Sequence, residues 1–178
     1  MQDDIIIASI KNGKKEDFGL LVEKYKNQLY SFIYYSVKND AIAGDLFQDT
    51  MLKALQEINK YQEEGKFKAW LFTIARNKIT DYFRKSSKVV QFSEEMDADT
   101  FASPDNTATK ALGNISLEEI GGFISKLPKE QQEVILLRQY LSFKEIAHAL
   151  NCPIGTVLAR MNRGIKKLQA FMGEEYAT

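Results

Sequence analysis

The 178-residue chain predicts an all-α fold: two small helical domains, a bundle and a helix-turn-helix, joined by a flexible acidic linker. Three observations carry this. Before residue 90, apolar residues recur in steps of three and four, the spacing of one helical face, and nowhere alternate convincingly at period two as a half-buried strand would. Residues 93–114, SEEMDADTFASPDNTATKALGN, lose that spacing, turn acidic and carry Pro104 and Gly113. After them the helical period returns in shorter segments, the last two separated by a tight break.

In the first long segment Phe18, Leu21, Val22, Tyr25, Leu29, Phe32, Ile33 and Val37 line one face. Asn39-Asp40 ends it, with Asp40 placed to cap the next helix. That helix repeats the spacing through Leu46, Phe47, Met51, Ala54, Leu55, Ile58 and Tyr61. A third follows the break at Glu64-Gly65, with Phe67, Trp70, Leu71, Ile74, Ile79, Tyr82 and Phe83, and helical order is expected to fade after Lys88. The acidic stretch suits a solvated tether, so the boundaries read as 1–90, 91–115 and 116–173.

Order resumes at Ser116, where SLEE has the capping-box form, the Ser116 hydroxyl facing the Glu119 backbone. A short helix runs to Leu127, and the fixed φ of Pro128 suits the first turn of another. Three segments follow: Val134, Ile135, Leu137 and Leu141 face inward on the first, Phe143, Ile146, Ala147 and Leu150 on the second, Val157, Met161, Ile165 and Leu168 on the third. Asn151-Cys152-Pro153 separates the last two, the arrangement of a helix-turn-helix, in which small Ala147 permits a close crossing.

Lys plus Arg equal Asp plus Glu, 24 each, so net charge names no partner, but its distribution is uneven. Residues 1–92 hold 15 bases and 12 acids, 93–119 hold 1 and 7, and 120–178 hold 8 and 5. The single cysteine, Cys152, supports neither a disulfide framework nor a thiol pair for a metal, and fits a reducing cytoplasm. The N-terminus lacks the basic region and cleavage site of a signal peptide. No apolar run approaches the ~20 residues of a membrane span, so no membrane insertion is expected. There is no metal-spaced His/Cys set, no paired carboxylates and no phosphate-cradling glycine loop, so no catalytic residues, metal or cofactor are expected, and the chain reads as no enzyme. The lone His148 reads as a half-exposed helix residue.

No acid lies between Thr156 and Gly173. With the apolar face of the last helix inward, Thr156, Ala159, Arg160, Arg163 and Lys167 are left outward, a face that a major groove accepts. Arg160 and Arg163 suit guanine edges or phosphates, whereas Lys166 and Lys167 suit phosphates, which position without specifying. A second basic run, Lys66, Lys68, Arg76, Lys78, Arg84, Lys85 and Lys88, stands against one acid, Asp81, with aromatics among it. Bases interleaved with aromatics suit single-stranded or melted DNA, although at helical spacing Trp70, Ile74 and Phe83 read as core. At DLFQD, Asp45, Gln48 and Asp49 share a polar face beside Leu46 and Phe47 that would dock on a basic partner helix.

Four stretches, DLFQDTMLKAL (45–55), FKAWLFTIARNKITDYFRK (67–85), LPKEQQEVILLRQYLSFKEIA (127–147) and GTVLARMNRGIKKL (155–168), together resemble the extracytoplasmic-function group of bacterial RNA polymerase sigma factors. The resemblance implies a region two bundle and a region four helix-turn-helix on a tether, and transcription initiation rather than covalent catalysis. It implies that Asp45, Leu46, Gln48 and Asp49 bind the clamp helices of the large subunit of core RNA polymerase. Gln62, Lys66, Phe67 and Lys68, with Arg76 and Asn77, would capture an unstacked base of the minus-ten element of promoter DNA, and Arg84, Lys85 and Lys88 the adjacent backbone. Thr156, Ala159, Arg160, Arg163, Lys166 and Lys167 would meet the minus-thirty-five element. The group is commonly controlled by an anti-sigma factor. Leu158 and Ala159 depart from the family, which more often places a basic residue and a serine there; Ala159 would offer a methyl contact to thymine. A conventional helix-turn-helix regulator explains residues 128–168 equally well, but accounts for neither the basic-aromatic run nor DLFQD.

Overall fold

A computed structural model describes residues 2–62, 65–92 and 117–176, and among these every regular element is helical. The first block holds α1 (Gln2–Lys11), α2 (Phe18–Val37), α3 (Asp40–Glu57) and α4 (Phe67–Phe92), and the second holds α5 (Leu117–Ser125), α6 (Lys129–Arg138), α7 (Phe143–Ala149) and α8 (Ile154–Tyr176). Residues 93–114 and the Ser116 capping box lie outside the described residues.

The apolar faces read from spacing build the bundle: Leu21, Tyr25, Leu29, Phe32 and Ile33 of α2 are buried against Ala43, Met51 and Ala54 of α3 and Leu71, Phe72 and Ala75 of α4. Between α2 and α3 the chain turns through Lys38 in the left-handed region at φ 54. The cap of α3 is Asn39, whose side chain accepts from the Ile42 amide at 3.0 Å. Asp40 instead stands inside the first turn and accepts from the Tyr30 hydroxyl at 2.5 Å, which corrects the expected cap by one residue. Helix α4 runs to Phe92, four residues beyond the expected fading point. Helix α1 escaped the sequence reading; Ile7 and Ile10 bury it, and Asp3 ties it to Lys24 and Tyr25 of α2 at 2.5 Å each.

In the second block a capping box forms at Ser142, whose hydroxyl accepts from the Glu145 amide at 3.3 Å while the Glu145 carboxylate accepts from the Ser142 amide at 2.7 Å. Asn151 takes φ 49 after α7, so the Cys152 amide reaches back to the Ala147 carbonyl at 3.0 Å and the chain reverses into α8. This left-handed residue closes the turn in the way a glycine usually does. A close approach between α8 and α6 falls at Gly164. A Cβ there would lie 2.7 Å from Ile135 Cδ1 of α6, so the absent side chain is what lets the two helices approach.

The two blocks pack on each other. Tyr140, after α6, enters between α2 and α4, with its ring centroid 6.5 Å from Phe32 and 5.0 Å from Phe72. Arg76 Nε of α4 stands 2.6 Å from Glu133 Oε1 of α6, and Lys129 Nζ lies 4.2 Å from the Phe83 ring centroid. One apolar core therefore runs from α1 to α8.

Candidate nucleic-acid and polymerase interfaces

Helix α8 presents two unlike flanks. Val157 and Gly164 are buried and Met161, Leu168 and Phe171 half-buried, which seats the helix on α6 and α7. Ile165, expected among the anchors, is 38% exposed, and Leu158 is 40% exposed beside Ile154. The correction follows from the crossing: Gly164 takes the contact position and rotates Ile165 toward solvent. On the opposite flank Arg163, Lys166 and Lys167 are exposed and Thr156 and Ala159 half-buried. Arg160 leans back toward α6, 3.9 Å from Glu130. The face open to a groove is thus centred on Arg163, with Lys166 and Lys167 beside it.

On α3, Asp45, Gln48 and Asp49 are exposed, and Asp49 lies 3.8 Å from Lys78 of α4. Leu46, expected in the contact, is 8% exposed and points into the bundle, and Phe47 packs edge-on against Tyr30 at 6.1 Å. The apolar member of the outward face is Leu52, 55% exposed and two helical turns from Asp45. Leu52 falls outside the apolar spacing of Leu46, Met51, Ala54 and Leu55 and is assigned to neither face by the sequence; its offset of seven from Asp45 is the signal that places it beside the acidic residues.

The basic run on α4 divides. Phe67, expected at the DNA surface, is 1% exposed, packed against Tyr25, Tyr61 and Trp70 with centroids 5.8, 5.7 and 5.5 Å away. It supports the surface from below and offers no face for stacking. Gln62, Lys66, Asn77, Arg84 and Lys85 are exposed, and Lys68 is half-buried with Nζ 5.9 Å from the Tyr140 ring centroid. Arg84 pairs with Asp81 at 2.9 Å. The side chain of Lys88 lies outside the described residues.

Arg76 and Asn77 open on a cavity of about 670 Å³ whose other wall is the turn between α7 and α8, His148 and Asn151 to Pro153. A second cleft of about 510 Å³ lies between α2, α4 and α6, with Phe32, Ile79, Phe83 and Leu136 within and Arg84, Lys129 and Glu133 at its rim. In this arrangement the second block covers part of the basic face of the first. Among the described residues no group of His, Cys, Asp or Glu could hold a metal ion, and no helix is long and apolar enough to cross a membrane.

Residues 21–89 match the family described as Sigma-70 region 2, and residues 117–168 that described as Sigma-70, region 4. The chain is 31% identical over 176 residues to the ECF RNA polymerase sigma factor BldN of Streptomyces coelicolor, covering 96% of this chain and 66% of that protein. It is 35% identical over 133 residues to the ECF RNA polymerase sigma factor EcfG of Rhodopseudomonas palustris, covering 73% of this chain and 71% of the relative. Among solved structures, the sigma factor RpoE bound to the anti-sigma factor NepR from Bartonella quintana superposes with a TM-score of 0.76 at 28% identity, covering 88% of this chain and 97% of RpoE.

Proposed function

Because the chain belongs to the extracytoplasmic-function group of RNA polymerase sigma factors, we propose that it binds core polymerase, reads the minus-thirty-five element as duplex and captures the melted minus-ten element. The observation that carries this is the pair of basic faces on separate helices: Arg163, Lys166 and Lys167 on α8, and Gln62, Lys66, Lys68, Arg76, Asn77, Arg84 and Lys85 around α4. An exposed, acid-free helix after a tight turn suits a major groove. A basic surface beside a loop suits unpaired strand. Asp45, Gln48, Asp49 and Leu52 form an acidic rim around one exposed apolar side chain, suited to basic helices of the polymerase clamp.

The packed arrangement does not engage both elements together. Elements about 25 base pairs apart are separated by roughly 85 Å of B-form duplex, whereas Arg76 and the α7–α8 turn line one cavity. The blocks must therefore separate on the promoter. Residues 93–116, at about 3.4 Å each when fully extended, span up to roughly 80 Å, enough with the helices themselves to bridge that distance. Capture of a flipped base costs a few kcal/mol, so the free chain melts nothing unaided and needs the attached polymerase. An anti-sigma protein that stabilises the packed blocks would keep the chain from its promoter; the relative RpoE is solved in complex with the anti-sigma factor NepR.

The test is transcription from a promoter library by core polymerase with and without the purified chain. Specific initiated transcripts that depend on the chain are expected. Their absence, together with tight operator binding by the free protein, would replace this reading with that of a conventional regulator.

A further inference from the structure

Between the 3-10 turn Ile58–Lys60 and α4, the described residues Tyr61, Gln62, Gly65 and Lys66 lie outside any helix, and side chains brought from elsewhere meet part of their backbone. Two come from α1. The Asp4 carboxylate accepts from the Gly65 amide at 3.0 Å, and the Lys11 ammonium donates to the Tyr61 carbonyl. Gly65 stands at φ 74, a conformation that L side chains rarely adopt, and the Asp4 contact holds the chain there. Asp4 and Lys11 are seven residues apart, two turns along one face of α1. Helix α1 is itself bolted down by buried Ile7 and Ile10 and by the Asp3 contacts to α2. Inside the connection the Lys66 amide donates to the Tyr61 hydroxyl at 3.1 Å, while the Tyr61 ring packs on Phe67 and Trp70. The Gly65 amide also lowers the Asp4 pKa, as expected of a donor to the ionised form. Helix α1 precedes the stretch that matches region two, which begins at residue 21.

We propose that α1 is a positioning element for minus-ten capture: Asp4 holds Gly65 and Lys11 holds Tyr61, and through these backbone contacts the neighbouring Lys66 and Gln62 are kept in the geometry that receives an unstacked base. This rests on the sigma reading above. Base capture needs a preformed pocket, because unstacking already costs a few kcal/mol and leaves little to spend on ordering a loop. One helix supplies an acceptor for the amide at one end and a donor for the carbonyl at the other.

The experiment uses the full chain with core polymerase and a promoter library randomised in the minus-ten element, alongside the affinity of each variant for core polymerase. Asp4→Ala and Lys11→Ala are each expected to lower transcription from the preferred minus-ten sequence about tenfold and flatten the preference at the captured base, with core affinity within twofold of the parent. Asp4→Asn retains an oxygen acceptor for the Gly65 amide and is expected to behave as the parent. Parental preference profiles in both alanine variants would overturn the proposal. So would core affinity falling in step with transcription, or Asp4→Asn as impaired as Asp4→Ala, since a merely structural or charge role predicts those results. A parent chain that yields no transcripts would overturn the sigma reading itself, a result distinct from any difference among variants.

Discussion

Arg76 and Glu133 stand 57 residues apart in the chain, yet Nε of one lies 2.6 Å from Oε1 of the other. A side chain of the proposed minus-ten surface is thereby held by a carboxylate of the helix-turn-helix block. On the proposed mechanism the pair cannot serve closure and base capture at once, so opening the blocks would also free Arg76.

Glu133→Gln keeps the shape of that carboxylate and removes its charge. The pair is about a quarter exposed, so solvent screening limits its contribution to about 1 kcal/mol. A roughly fivefold shift toward separated blocks is expected, read as lower energy transfer between dyes placed on α2 and α8 of the free protein. Unchanged transfer efficiency would mean that the pair does not maintain the packed arrangement.

Tyr140→Ala removes a ring packed on Phe32 and Phe72. Aromatic truncation at a packed site costs about 3–5 kcal/mol in a full core, and about half of that at this half-buried position. Small-angle scattering should show a larger radius of gyration while circular dichroism keeps the helical signal. Parallel loss of helix would place Tyr140 in the folding of a block instead of the joint between blocks.

Arg163→Ala should lower transcription from promoters that depend on the minus-thirty-five element by roughly tenfold or more, the worth of about 1–3 kcal/mol for a good base contact. Core polymerase binding should be unchanged. Lys167→Ala should weaken all such promoters alike and lower the salt slope of DNA binding by about one. Ala159→Ser should shift the selected minus-thirty-five sequence, and an unaltered selection profile would show that Ala159 carries no specificity.

Asp49→Arg places a cation on the outward face of α3, and Leu52→Asp removes its apolar centre. Each is expected to weaken core polymerase binding about tenfold while leaving the helical content and the duplex binding of α8 intact. Unchanged affinity in both would remove α3 from the polymerase contact.

Much of the architecture was legible in the chain because helix formation is local. Spacing of three and four placed Leu21, Tyr25, Leu29 and Phe32 on one face of α2 without reference to any partner, and all four are buried. The acid-free stretch after Thr156 likewise marked the outward side of α8, since charge without compensation is seldom buried. Helix α1 leaves little local signal because its apolar run, Ile5 to Ile7, is short and lies between polar ends.

What local spacing determines is which residues share a face; what it leaves open is which side of that face the neighbours cover. Leu46 and Leu52 have the same chemistry but lie about 120° apart around α3, and the packing of α2 and α4 covers the first and leaves the second exposed. Gly164 became the contact point of α8 because α6 comes close enough to exclude a Cβ, and that rotated Ile165 outward. Tyr140, Arg76 and Asp4 acquire their roles from partners tens of residues away, and Phe67 from Tyr25 as well as from its near neighbours Tyr61 and Trp70. The sequence by itself determined the helices after α1, their two-block order and the sign of their faces; tertiary structure decided the contacts between them, because pairings over such separations leave no mark in the local pattern.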